Sequence, residues 1–279
     1  MIREKQLTNG FQYVEIENSY AYAKIALQGA HLFHYQVKEK TPLLWLSQAA
    51  YFEEGKAIRG GVPICFPWFG KKREDPTLPQ HGFARTSLWR VILEEELDDE
   101  SSHVRLELVS SKETLKLWNY TFKVTLDILV SNQLTMALTT TNTDTKPFEL
   151  SCALHTYFAI SHIEHVSIEG LEGKQYYNNL DGKSYRQEGK IVLKEEVDRV
   201  YFEPSKSVTL SDSQKKVTLR HEGSNSVVVW NPWLEKSQKM VDMLDGGYET
   251  MVCIESANAG EDARMLKPGE RHTLKAMIV

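Results

Sequence analysis

Hydrophobic and polar positions alternate with a period of two along most of this chain, the pattern of strands with one face in a core and one in water. Phe11, Tyr13, Val14 and Ile16 begin it, and the run from Tyr20 to Ile25 continues it beyond an Asn-Ser turn. Gly29-Ala30 leads into another strand, His31 to Val37. Trp89 to Glu96 and Ser102 to Ser110 read as a hairpin around the acidic run E-E-E-L-D-D-E. Contiguous like charges repel and stay hydrated, so that run is a solvated turn. Trp118 to Val130 and Gln133 to Asn142 form the clearest hairpin, and their threonines and β-branched residues suit one exposed face. Pro147 precedes a strand ending in L-S-C-A-L-H-T-Y-F. Shorter strands follow at Val166 to Ile168, Ser207 to Leu210, Val217 to His221, Val227 to Trp230, Met251 to Glu255 and Leu274 to Val279. Glu235 to Leu244 is the one segment with a helical pattern. With no βαβ alternation, repeat or linker, the expected fold is all-β: a large, mostly antiparallel β-sandwich forming one domain over residues 1–279.

The alternation fails in one place. From about Ser47 to Leu88 the chain has neither strand nor helix period, and it carries I-R-G-G-V-P-I-C-F-P-W-F-G followed by Q-H-G-F-A-R. A buried strand does not tolerate both Pro63 and Pro67, since each removes a ladder donor and fixes φ. Long ordered connections are usually functional. Arg59, His81 and Arg85 have no packing reason to sit among proline and glycine, which favours a binding loop over an Ω-loop that merely caps a sheet. Lys71-Lys72-Arg73 reads as a solvated loop face rather than a docking site for a protein.

Composition narrows the classes. Hydrophobic content of 41% supports a sizeable core, and a net charge of -5 argues against a nucleic-acid or anionic-membrane surface. It leaves room for a small anion, because remote charges are screened beyond ~8 Å at physiological salt. Three cysteines, Cys65, Cys152 and Cys253, cannot all pair and lie among apolar neighbours, as reduced thiols in a cytoplasmic protein would. The N-terminus lacks an apolar signal region, and no apolar run approaches the ~18 residues of a membrane span.

Several catalytic signatures are absent: no G-x-S-x-G, P-loop, G-x-G-x-x-G or H-E-x-x-H. His31 and His34 are three apart on a strand, so their rings point to opposite faces and no metal site is expected. Two further islands join the loop. L-H-T-Y-F puts His155 at the end of an apolar strand, and V-C-I-E-S does the same for Glu255. Taken singly, His155 is equally a satisfied core imidazole and Glu255 a carboxylate in water at a sheet edge. Taken with a loop of arginines, which grip phosphate bidentately, they suit acid–base chemistry on an anionic ligand.

The pieces I-R-G-G-V-P-I-C-F-P-W-F-G, Q-H-G-F-A-R, L-H-T-Y-F, E-V-D-R-V-Y, V-W-N-P-W and V-C-I-E, in this order from about Leu27 onward, resemble the hexose-6-phosphate mutarotases (glucose-6-phosphate 1-epimerases) of the aldose 1-epimerase, galactose mutarotase-like superfamily. The first piece is highly specific, and E-V-D-R alone is weak. The resemblance implies a supersandwich fold and interconversion of the anomers of aldohexose 6-phosphates without a cofactor. It implies His155 as general acid and Glu255 as general base, His81 and Asp198 on sugar hydroxyls, Arg59 and Arg85 on the phosphate, and Gln80 as a polar contact. Trp230 and Trp233 are platform candidates for the sugar face, or core. After Glu255 this chain has S-A-N-A-G where relatives often turn through Pro-Gly. The expected partner is a small sugar phosphate, with no nucleic acid and no membrane, and the chain is expected to be a monomer. For the chemistry to run near pH 7, His155 must be protonated while Glu255 is ionised, which their proximity would favour. A mutarotase of unphosphorylated aldoses and a non-catalytic sugar-phosphate-binding protein stay open as alternatives.

Overall fold

A computed structural model gives the architecture and describes residues 1–72 and 75–279. Among these residues the strands form four sheets, and every strand pair is antiparallel. The chain opens with a meander of Ile2–Gln6, Gln12–Glu17, Ala21–Ala26 and His31–Val37. A nine-stranded sheet is built around the neighbours Arg271–Ile278, Leu134–Asn142, Phe122–Val130 and Ser102–Val109. An eight-stranded sheet runs in the order Lys183–Arg186, Gln175–Asn178, Val197–Phe202, Ser226–Asn231, Met251–Asn258, Cys152–Leu154, Ile64–Cys65, and Tyr157–Ala159 also pairs with Met251–Asn258. A two-stranded ribbon joins Phe148–Leu150 to Arg264–Leu266. The sandwich expected from the alternation is what forms.

Burial patterns separate the two large sheets. In the nine-stranded sheet, Phe122–Val130 and Leu134–Asn142 alternate buried and partly exposed residues, with one face in the core and one in water. In the eight-stranded sheet, Ser226–Asn231 and Met251–Asn258 are buried at every position. One face of those strands (Val227, Val229, Val252, Ile254, with Leu154 beside them) packs into the main core against Leu126, Leu138, Leu219 and Leu274. The opposite face is covered as well, by the long irregular loop and by the segment after Asn231. That second face carries the polar residues singled out in the sequence.

The loop confirms the argument from proline. Ile64–Cys65 is a two-residue strand at the sheet edge, with Pro63 and Pro67 directly outside it. Its turns need glycine. Gly61 has φ +62, and a Cβ there would lie 2.4 Å from the Leu32 carbonyl oxygen. Gly82 has φ +72, and its Cβ would lie 2.0 Å from the Phe66 carbonyl oxygen. Lys72 places its ammonium 5.1 Å from the Trp68 ring centre, while Arg73 lies outside the described residues.

Elsewhere the pattern misleads. Ile2–Gln6 and Lys183–Arg186 are polar and largely exposed edge strands, held by their neighbours' backbones, so no apolar period marks them. Val197–Phe202 also escapes the strand reading. The helix Lys112–Leu117 rests on a capping box from Ser111 and Thr114. The helix expected at Glu235 to Leu244 is instead Trp233–Ser237, with Pro232 at its N-cap. Beyond it the chain goes into turns that drive Met243 into the interior, 5% exposed, and leave Val241 83% exposed.

Gly82→Ala is expected to lower the unfolding free energy by about 2–5 kcal/mol, the combined cost of a left-handed alanine and a displaced carbonyl. Urea denaturation checks it; a midpoint equal to that of the parent protein contradicts the close approach.

Candidate active site

The pairing of two short strands with one long strand creates the site. Cys152, Ala153 and Leu154 face Asn258, Ala257 and Ser256 across the ladder. The ladder resumes with Tyr157 facing Cys253. The register does not slip across the gap, so His155 falls opposite Glu255. Its backbone N–H donates to the Pro63 carbonyl at 3.0 Å, which ties the residue to the edge strand on the other side. Nε2 of His155 lies 3.2 Å from Oε1 of Glu255. Two residues a hundred positions apart are thus cross-strand neighbours.

The surroundings of this pair are apolar and small on one side, aromatic on the other. Cys65, Ala153, Val200, Val228 and Ala257 form one cluster on this face, and Tyr157, Trp230, Met251 and Cys253 form another. The His155 ring stacks on Tyr157 with centroids 4.9 Å apart and meets the edge of Trp230 at 5.9 Å. Glu255 is 1% exposed. Its Oε2, like Nδ1 of His155, is buried with no hydrogen-bond partner among the described residues. Buried polar atoms are nearly always paired, so an orphan carboxylate oxygen marks a place where function or a ligand has overridden stability.

Burial also answers the expectation that proximity holds both groups charged. It pushes the Glu255 carboxyl well above the usual carboxylate range, and the charge of Asp198 adds to this. It pushes His155 well below the usual imidazole range, helped by His81, Arg85 and Arg59. Desolvation therefore draws the pair in the unliganded protein toward its neutral form, against the sequence-based expectation.

The loop delivers the remaining groups. Arg59 donates from Nε to Oδ2 of Asp242 at 3.1 Å, with Nη2 3.0 Å from the same oxygen, and from Nη1 to the Tyr157 hydroxyl at 2.9 Å. Arg85 donates from Nη2 to the Gln80 carbonyl at 2.7 Å. The Gln80 amide lies 3.1 Å from Nε2 of His81. His81, at φ +65, accepts the Gly70 N–H on Nδ1, which puts the proton of the neutral ring on Nε2. Its pKa is pushed down to about 3 by burial and then by Arg85 and Arg59. The His81 and His155 ring centres are 5.9 Å apart. Asp198 lies on the same sheet face as Glu255, accepts from Asn179 Nδ2 at 2.7 Å, has Lys236 Nζ 4.0 Å away, and is raised by burial. The structure thus brings His155 and Glu255 into contact and gathers Arg59, His81 and Arg85 around His155 and Asp198 beside Glu255, with Gln80 on His81.

Three participants went unread in the sequence. Tyr157 links Arg59 to the His155 ring, and its position two residues after His155 on a strand was a usable signal. Asp242 and Lys236 lie on the segment after Asn231, where nothing in the pattern marked them. Trp230 walls the site, but Trp233 packs on Tyr248 with centroids 5.5 Å apart. Among the described residues no three His, Cys, Asp or Glu side chains converge as metal ligands. No helix of the described residues is long and apolar enough to cross a membrane.

Residues 12–278 match the profile of the family described as aldose 1-epimerase. The chain belongs to the aldose 1-epimerase family. A relative from Cenchrus ciliaris, provisionally named a glucose-6-phosphate 1-epimerase, is 38% identical over 89% of this chain and 78% of its own. One from Escherichia coli with the same provisional name is 33% identical over 95% of this chain and 90% of its own. A crystal structure of a provisionally assigned mutarotase from Salmonella typhimurium superposes with a TM-score of 0.93 at 31% identity, over 99% of this chain and 92% of that one. A galactose mutarotase-like protein from Lactobacillus casei shares the fold, with a TM-score of 0.75 at 18% identity over 95% of this chain and 99% of that one.

A buried histidine supports the arginine turn. His31 is fully buried, and its Nε2 donates to the Gly60 carbonyl at 2.7 Å, beside Arg59. Burial pushes its pKa down to about 4. A folded-state pKa below the unfolded value contributes stability present above pH ~6.5 and lost as pH falls toward the folded value. Urea midpoints should therefore drop steadily from pH 6.5 to 4, with His31 alone accounting for about 3 kcal/mol. His31→Gln, whose amide can replace Nε2, should flatten that slope; an unchanged slope would contradict a neutral buried imidazole.

Proposed function

We propose that this protein interconverts the α- and β-anomers of an aldohexose 6-phosphate, glucose 6-phosphate being the expected substrate, by acid–base opening and reclosure of the sugar ring. The names of the relatives point to this reaction, and the observation that carries it is the His155–Glu255 pair at 3.2 Å on a dry sheet face beside two arginines. Two oxygens on one carbon, the anomeric hydroxyl and the ring oxygen, need one proton removed and one added. A carboxylate and an imidazole in mutual contact reach both.

In the forward direction Glu255 takes the proton of the anomeric hydroxyl while Nε2 of His155 protonates the ring oxygen. The bond from the anomeric carbon to the ring oxygen breaks as the carbonyl forms. The aldehyde rotates about the bond to its neighbouring carbon and recloses on the other face, with both proton transfers reversed. Neutral Glu255 with neutral His155 holds the same number of protons as carboxylate with imidazolium, so shifting one proton across the contact arms the pair. The cationic fields of Arg59 and Arg85 oppose protonation of His155. A phosphate of charge about −1.5 to −2 on those arginines cancels the field and moves the proton to the imidazole. His81, neutral, and Asp198 are suited to hold sugar hydroxyls. Gln80 steadies His81. The groups come from positions as distant as Arg59 and Glu255, and the main core draws on residues from Val14 to Ile278, so we read 1–279 as one domain.

His155→Asn and Glu255→Gln should each lower kcat by roughly 10²- to 10⁴-fold, with little change in binding, in exchange NMR of glucose 6-phosphate anomers. Near-normal rates in either variant overturn the assignment. Exchange at the spontaneous rate with the parent protein would leave a sugar-phosphate-binding protein instead.

Arg85→Ala should raise KM for glucose 6-phosphate about tenfold or more, with a smaller effect at high salt background and none on glucose. Equal turnover of glucose and glucose 6-phosphate by the parent protein would favour an unphosphorylated aldose.

A further inference from the structure

We infer that the Asp242 carboxylate occupies the phosphate's place on Arg59 in the unliganded protein and is displaced when a phosphorylated sugar binds. This rests on the proposed activity and adds to it a residue that sets phosphate affinity.

The geometry is that of a carboxylate held on the guanidinium edge that would otherwise take a phosphate. Nε and Nη2 of Arg59 both address a single oxygen, Oδ2, at 3.1 and 3.0 Å. Nη1 is turned to Tyr157, which holds the guanidinium plane beside the His155 ring. Arginine binds carboxylate and phosphate through this same two-donor edge, so an anion arriving there must share it with Asp242 or replace it. Sharing brings two anions to hydrogen-bond distance of one cation, and like charges so close disfavour that arrangement. Arg85 differs: it donates to the neutral Gln80 carbonyl and, among the described residues, meets no carboxylate, whereas Arg59 is already matched.

Asp242 also sits where it can move. It follows the helix Trp233–Ser237 in a stretch whose backbone bonds are local, from Met240 N–H to Ser237 and Met243 N–H to Met240. Its neighbour Val241 is 83% exposed, while Met243 anchors the segment, 5% exposed, against Gly247. The side-chain exposure of Asp242 is 14%, so its partner is the guanidinium rather than water. Displacement needs only this turn to shift, not any strand of the site.

The test compares Asp242→Asn with the parent protein. Titration with inorganic phosphate should show affinity raised about threefold to tenfold in the variant, and KM for glucose 6-phosphate lowered by a similar factor, with no comparable gain for glucose. Weakened phosphate binding would overturn the inference by making Asp242 a group that orients Arg59, and an unchanged affinity would overturn it equally. As a check that needs no variant, hydrogen exchange of residues 238–247 in the parent protein should speed up when phosphate is added; slowing refutes displacement. The two proposals fail separately. Phosphate displacing Asp242 without accelerated anomer exchange sinks the activity alone, and accelerated exchange with unaltered Asp242→Asn kinetics sinks the displacement alone.

Discussion

Everything in this site follows from one ladder register. Met251–Asn258 pairs with Cys152–Leu154 and again with Tyr157–Ala159 without a slip, so Glu255 has no choice of neighbour but His155. A shift by one position would send one of the two into the main core, because side chains alternate faces. The same central strand is buried along its whole length, so the carboxylate gives up water and receives a single imidazole contact in return. A buried charge left without a partner is strongly destabilising, and a buried neutral acid is much less so. The unliganded pair is consequently drawn toward its neutral form, a state that an exposed pair of the same residues would not favour.

A strand alone could not have completed the arrangement. Side chains on a sheet stand perpendicular to it at fixed spacing, so groups meant to reach over the pair must come from outside the ladder. The irregular loop supplies them by using backbone conformations that strands exclude: φ +62 at Gly61 after Arg59, +65 at His81 and +72 at Gly82 before Arg85. Pro63 and Pro67 limit its strand to Ile64–Cys65, which keeps the loop attached to the sheet edge while the flanking residues curl over the face. His31, buried under the Gly60 carbonyl, fixes the turn from below.

This explains what could be read from the chain beforehand. Strands of the nine-stranded sheet were legible because one face meets water, and the alternation between Phe122 and Asn142 reports that directly. His155 and Glu255 were legible for the opposite reason, as ionisable residues ending apolar runs. Lys183–Arg186 carried no signal, because a polar edge strand is specified by its neighbour's backbone. The helix misplacement at Glu235 to Leu244 had a local cause: the apolar positions there serve two masters, with Met243 facing the interior and Val241 facing water. Charge states were not legible at all. Proximity in sequence space says that opposite charges attract, while depth below the surface, which decides desolvation, exists only once the fold is known.

Electrostatics then sets a condition on any anionic substrate. The chain as a whole carries -5, so its distant field does not attract a phosphate, and salt removes most of that field beyond ~8 Å. Attraction must come from cations at the site. Among the described residues, Arg59 is already matched by Asp242, and Lys236 by Glu196 at 2.7 Å with Asp198 at 4.0 Å. Among the described residues Arg85 meets no carboxylate, and it lies on the loop near His81, whose neutral ring adds a donor without adding charge. An uncharged aldose would gain little from that asymmetry. Under the proposed displacement a phosphorylated one would gain the Arg85 guanidinium on arrival and that of Arg59 only after a carboxylate has let go, which would place discrimination between the two sugars in the counter-ions rather than in the acid–base pair.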